Sequence, residues 1–326
     1  MTRMLLAIVV ATSVSIGMQA QTAPRQWTVR RLPDGRPDLQ AIWTTQTYTP
    51  LERPDRYANQ EFLTESEVAA LTRLLTQPGV NPLGRGVFGA SDQDRQQQTA
   101  QNDPTHYDNA LWLATTRPKA LSSRRTSLIV DPPNGKLPPL TAEGQARAAA
   151  RREAVNFDSH ENRPLQERCV LWTHEGPPML PPAYNDILRI FQTSAHVAIV
   201  REVSTNLPRI IPTDGRPHTP ERMRQWAGRS SGRWDGDTLV VETKHYNDKA
   251  AIQGATDRLH VMERFTRVSE DQIVYRFTVT DPATWTAPWT AELPMLLTEG
   301  HPYEYACHEG NQGVANILRG ARVEGR

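Results

Sequence analysis

Gln272-Ile273-Val274-Tyr275-Arg276-Phe277-Thr278-Val279-Thr280-Asp281 puts Ile273, Tyr275, Phe277 and Val279 on one side of an extended chain. Val274, Arg276, Thr278 and Thr280 fall on the other. A period of two, apolar in and mostly polar out, marks a half-buried strand. Residues 259–268 pair with this strand as a hairpin around Ser269-Glu270-Asp271. Residues 233–241 form another hairpin, in which Asp235-Gly236 supplies the positive-φ turn. Working outward, short β-branched and aliphatic runs recur at 169–172, 187–192, 196–203, 209–213, 285–293 and 303–307. Residues 38–45 read as a further strand after Gly35-Arg36-Pro37. Sequential antiparallel strands avoid bare edges most simply by closing on themselves. The expected fold is therefore mainly β: an antiparallel β-barrel with a helical and loop insertion after the first strand.

That insertion occupies 50–165, between a leader with the first strand (21–49) and the main barrel region (166–326). Thr64-Glu65-Ser66-Glu67 is a capping box, with Val68, Leu71 and Leu75 following at helical spacing until Pro78-Gly79. Residues 92–103 are rich in Gln and Asp and predict an exposed loop, and 127–130 a short strand. Thr141 caps a second helix over 142–155, made mostly of Ala and Arg, which predicts a helix lying on the surface.

The first twenty residues pair a basic Arg3 with an apolar run from Leu5, ending in Met18-Gln19-Ala20. This is the pattern of a secretory signal peptide over 1–20, with an uncleaved anchor as the alternative. The expected location is periplasmic or secreted, with no membrane association once the signal is removed. Lys plus Arg number 37 against 36 Asp plus Glu, which leaves no basic surplus for nucleic acid or an anionic membrane. The expected partner is a small molecule, and oligomeric state is not legible. In an oxidising compartment Cys169 and Cys307 predict a disulfide; free buried thiols or a metal site are the alternatives.

Four stretches are distinctive together: Ile210-Ile211-Pro212-Thr213-Asp214-Gly215-Arg216-Pro217-His218; Gly232-Arg233-Trp234-Asp235-Gly236-Asp237-Thr238-Leu239-Val240-Val241-Glu242-Thr243; Leu259-His260-Val261-Met262-Glu263-Arg264-Phe265; and Tyr303-Glu304-Tyr305-Ala306-Cys307-His308-Glu309-Gly310-Asn311. In these the chain resembles a group of exported bacterial proteins of unassigned function. That likeness implies secretion and a β-rich fold. Ala41-x-Trp43 also resembles the G-x-W strand start of lipocalin-like barrels, with Ala41 where that family has Gly. This second resemblance implies a barrel around a pocket.

No G-x-S-x-G, HExxH, P-loop or strand-linked G-x-G-x-x-G is present, which disfavours an α/β-hydrolase, a zincin and a nucleotide enzyme. No cofactor is expected, and spacing names no metal-ligand set. The acid–base candidates are His260, His218 and Asp214. Asp214 and His218 follow the strand at 209–213, where a loop can fold over a barrel mouth; an Asx-turn is the plainer reading of Asp214. His260 and Arg264 share a strand face, with Glu263 on the other beside Val261 and Phe265. If the His260 face is inward, the pair could bind and protonate an anionic or carbonyl substrate; if outward, Glu263 is the interior group. His196 and Glu202 are further candidates for substrate binding, Glu202 with Arg209 as its expected structural partner. Glu304 and His308 fit either an acid–base pair or surface charges. The leading expectation is an exported hydrolase, lyase or isomerase acting on a small organic or sugar substrate. The alternative is a non-catalytic, lipocalin-like carrier.

Overall fold

The computed structural model describes residues 27–75, 121–154, 156–172, 174–182, 186–204, 208–248, 252 and 254–325. The signal pattern at 1–20, the stop at Pro78-Gly79 and the Gln/Asp-rich stretch at 92–103 lie outside them.

Ten described strands form one sheet: β1 (Ala41–Thr44), β2 (Ile129–Asp131), β3 (Ile187–Gln192), β4 (His196–Arg201), β5 (Arg209–Pro212), β6 (Arg229–Asp235), β7 (Thr238–Lys244), β8 (His260–Arg267), β9 (Gln272–Thr280) and β10 (Trp289–Leu297). The order is β5-β4-β3-β1-β10-β9-β8-β7-β6, every neighbour antiparallel. The two ends, β5 and β6, meet through side chains: a Cβ on Gly232 would lie 2.9 Å from Ile211 and 3.1 Å from Thr213. The result is a nearly closed antiparallel barrel, as the alternation and the Ala41-x-Trp43 start predict.

The barrel interior is the core. Ile273, Tyr275, Phe277 and Val279 are all buried, and Arg276 across the sheet is exposed. Their rings continue an aromatic ladder, Phe265 to Tyr275 at 4.8 Å, Tyr275 to Phe277 at 5.2 Å and Phe277 to Trp289 at 5.8 Å between centroids. Such contacts add to area burial by roughly 0.5–1.5 kcal/mol a pair. Trp43 is fully buried, donates from its indole to the Leu39 carbonyl at 2.9 Å and carries the Arg267 guanidinium over its ring at 5.3 Å. Gly236 turns β6 into β7 with φ of 57°, the conformation that the Asp-Gly signal predicts.

Within the insertion, α1 (Glu65–Leu75) closes its capping box: Glu67 N donates to Thr64 Oγ1 and Thr64 N to Glu67 Oε2 at 2.8 Å. Helix α2 (Ala142–Ala154) is capped by Thr141, whose Oγ1 accepts from Gly144 N at 2.9 Å. The short strand expected at 127–130 is β2, which pairs with β10 at Thr290 and Ala291, with a register shift between them. The insertion thus also contributes to the sheet.

Three strand readings are corrected. Residues 169–172 form turns, with Cys169 at φ of 54° and Val170 N bonded back to Leu165 O. The strand at 285–293 starts later, at Trp289, because Trp285 N and Thr284 N turn back onto Asp281 O. Residues 303–307 are irregular, with Tyr303 and Tyr305 exposed, and helix α3 (Gly313–Val323) follows them. The Tyr/Glu alternation there pairs with no described strand. The expected disulfide forms all the same: Cys169 and Cys307 are bonded, with Cα atoms 5.7 Å apart. Such a bond persists in oxidising compartments. No described helix is long and apolar enough to cross a membrane.

Candidate functional site

Strand β8 decides which candidates face inward. Val261, Glu263 and Phe265 are fully buried, and His260, Met262 and Arg264 face outward. Of the two orientations weighed from the sequence, the interior one belongs to Glu263. A carboxylate with no exposure needs partners, and the barrel supplies them. Arg209 on β5 donates to Glu263 from both terminal nitrogens, one at 2.9 Å to Oε1, and Tyr275 Oη donates to Oε1 at 2.7 Å. Arg209 also reaches Ser230 Oγ on β6 at 3.0 and 3.1 Å and Thr243 Oγ1 on β7 at 3.1 Å. The gap between β5 and β6, which lacks a backbone ladder, is thus bridged by hydrogen bonds from this guanidinium. Burial opposes the Arg209 charge, but Glu263 holds it above its ordinary range. Burial and the Glu263 charge push the Tyr275 phenol well up, so it stays a donor.

The pair expected between Glu202 and Arg209 is therefore replaced by Arg209 with Glu263. The alternation of β4 explains the difference. Its inner face is Val197, Ile199 and Arg201, and the strand ends at Arg201; Val203, with φ of 48°, has already left it. His196 stands on the outer face opposite Pro212. Neither His196 nor Glu202 lines the cavity.

That cavity, of about 670 Å³, opens beside the β5–β6 gap. Leu171, Met179 and Ile199 supply apolar wall, and Arg201, Arg209 and His218 are among its polar lining. Arg201 is 6% exposed, and Nε, Nη1 and Nη2 all lack a hydrogen-bond partner among the described residues. Burial lowers its pKa to about 10, against the opposing charges of Asp186 and Glu175, so it remains a cation at neutral pH. Nearby His174 is held neutral: burial, then the Arg201 charge, lowers its pKa to about 3. The unfolded chain binds that proton near pH 6.5 and the folded chain does not. The stability His174 confers is therefore complete above about pH 6.5 and is lost as pH falls toward 3. Chemical denaturation at pH 7 and pH 5 should show the wild type losing more stability on acidification than His174→Asn; equal losses would contradict this.

On the outer face of β7 and β8 two of the sequence candidates meet, of which His218 lines the cavity and His260 does not. His218 Nε2 lies 3.0 Å from Glu242 Oε2, and His260 Nε2 lies 2.8 Å from Glu242 Oε1. Lys244 Nζ stands 3.5 Å from the same carboxylate, and the His245 ring packs edge-on to His218 at 5.9 Å. Burial works against the Glu242 charge, but the His260 bond and Lys244 hold it below the usual carboxylate range. An ionised carboxylate only accepts, so both Nε2 atoms carry the proton. That leaves Nδ1 as the lone pair of a neutral His218. Burial and Lys244 push the pKa of His218 down, so the ring is neutral at pH 7.

The remaining candidates lie apart from this cluster. Asp214 is held by Arg216, through Nε at 2.9 Å, and that contact lowers its pKa to about 2. Its backbone contact to Arg216 N makes it the turn that Asp-Gly predicts. Arg264 pairs with Asp235 at 3.1 Å, toward the far end of β8. Glu304 and His308 are exposed beyond the barrel.

Sequence reasoning missed Glu242 and Arg201. Nothing local marks Glu242, since its partnership with His260 depends on the β7–β8 register. Arg201 had a signal, a cation on the apolar face of Val197 and Ile199. In comparisons with known proteins, no family model, curated protein or solved structure matches the chain.

Proposed function

We propose that the protein is an exported enzyme that performs acid–base chemistry on a small organic molecule in this cavity, with His218 as the proton-transfer group. The observation that carries the reading is a neutral imidazole in the cavity wall, its Nε2–H held by a carboxylate. A His with a carboxylate on one nitrogen and a free lone pair on the other is built to take a proton and return it. In this reading His218 Nδ1 accepts a proton from the substrate, or from a water attacking it. Glu242 steadies the imidazolium that forms, and the proton passes back to the leaving group or product. His260 and Lys244 are positioning residues that hold Glu242. The signal pattern and the disulfide support a periplasmic or secreted location.

The test is turnover of a panel of small esters, lactones and glycosides, followed by NMR. His218→Ala should lower kcat by roughly 100- to 10,000-fold with unchanged circular dichroism. Because Glu242 raises the His218 pKa and Lys244 lowers it, Glu242→Gln should lower kcat and move the acid limb of kcat/KM to lower pH. Lys244→Met should move that limb upward. A His218→Ala enzyme of full activity sinks the reading. Ligand binding without any turnover across the panel favours the carrier instead.

A further inference from the structure

We propose that Arg201 is the anchor for a carboxylate on the ligand, so that the cavity selects small organic acids with an apolar body. The inference rests on the reading of this cavity as the substrate site, but not on the chemistry assigned to His218.

Arg201 projects from the inner face of β4 and lines the cavity. Its three guanidinium nitrogens are buried with no hydrogen-bond partner among the described residues. Buried donors are almost always satisfied, and a guanidinium carries five N–H groups. The neighbouring acids do not satisfy it. Asp186 accepts from Thr44 Oγ1 at 2.9 Å, and Glu175 accepts from Trp172 N at 3.0 Å and Ser204 Oγ at 3.3 Å. Neither accepts a hydrogen bond from Arg201.

The other cations of the cavity sharpen the choice. Arg209 is committed to Glu263, Arg216 to Asp214, and Arg224 to Glu221 and Asp257. Arg229 has no ion pair among the described residues, and its Nε is also buried without a partner. Among the described lining residues, two uncommitted guanidinium groups thus face one carboxylate, Glu175. The planar fork of arginine matches a carboxylate in two parallel hydrogen bonds. Asp186 and Glu175 already place negative charge near Arg201. That favours a monoanion over a doubly charged phosphate. Leu171, Met179 and Ile199 give the rest of the ligand an apolar wall.

Calorimetric titration with benzoate, benzyl alcohol and inorganic phosphate tests this, and needs no turnover. Benzoate should bind at least tenfold more tightly than benzyl alcohol. Arg201→Gln should weaken benzoate by about tenfold to a hundredfold and leave benzyl alcohol unchanged. Arg201→Met, unliganded, should melt at or above the wild-type temperature, because an unpaired buried charge is removed. Equal binding of benzoate and benzyl alcohol overturns the proposal, as does binding of phosphate alone. A marked fall in the Arg201→Met melting temperature overturns it too, by making Arg201 a structural counter-ion for Asp186 and Glu175. Loss of turnover in His218→Ala with benzoate selectivity intact separates this site from the proton-transfer reading.

Discussion

Glu263→Ala is expected to lower the stability of the barrel by about 3–5 kcal/mol, a large part of the 5–15 kcal/mol typical of a domain. The carboxylate has no solvent exposure and is the partner of Arg209, itself nearly enclosed. Removing it strands a guanidinium in the barrel wall and leaves the Tyr275 hydroxyl without its acceptor. It also loosens the side chain that ties β5 to Ser230 and Thr243 across the open seam. The reciprocal substitution, Arg209→Met, strands the carboxylate and should cost a similar amount. Combining Arg209→Met with Glu263→Ala removes the two charges at once, so the double variant should lose far less than the sum of the single losses. Denaturant midpoints for the four proteins measure the coupling. Additive losses would mean that the two side chains act independently, contrary to this account of the seam.

How much of this was legible in the sequence follows the range of each interaction. The alternation of β9 and the Asp235-Gly236 turn are local, and both the buried face and the hairpin follow from them. The helix caps at Thr64 and Thr141 are local too. Glu263 was half legible: the pattern set it with Val261 and Phe265 against His260 and Arg264, and only closure of the barrel decides which set is inside. Glu242 was not legible. Residues 245–259 separate β7 from β8, and the diagonal that joins Glu242 to His260 depends on how that connection sets the register. The Tyr303–Glu304–Tyr305 alternation misled for a related reason. A period of two states that a segment can be a strand, not that another strand pairs with it. Arg201 was open to reading, because a cation among Val197 and Ile199 needs a reason to be there. A strand end drawn at Val203 rather than Arg201 directed attention to Glu202 instead.

Breaking the disulfide, by reduction or by Cys307→Ser, is expected to cost between about 2 and 5 kcal/mol. The bond closes a span of 138 residues that contains β3 to β10. Without it the unfolded chain regains the conformations that the loop forbids, worth about 4–5 kcal/mol for a loop this long. The native state regains freedom as well, which lowers the net figure. Beyond β10 the chain buries little: Tyr303, Tyr305 and Val323 are exposed, and α3 contributes Ala321 alone to the buried set. Besides the sulfur bridge, the Trp172–Tyr305 edge contact at 5.9 Å and the Asn311 amide on Cys169 hold this segment. The reduced protein should therefore melt lower and also expose residues 299–312 to protease while the barrel stays intact. Melting with and without reductant, with mass spectrometry of brief digests, reads both effects. An unchanged melting temperature would show that the C-terminal segment is held by its packing. First cuts inside β7 to β9 would show that the bond braces the barrel and not its tail.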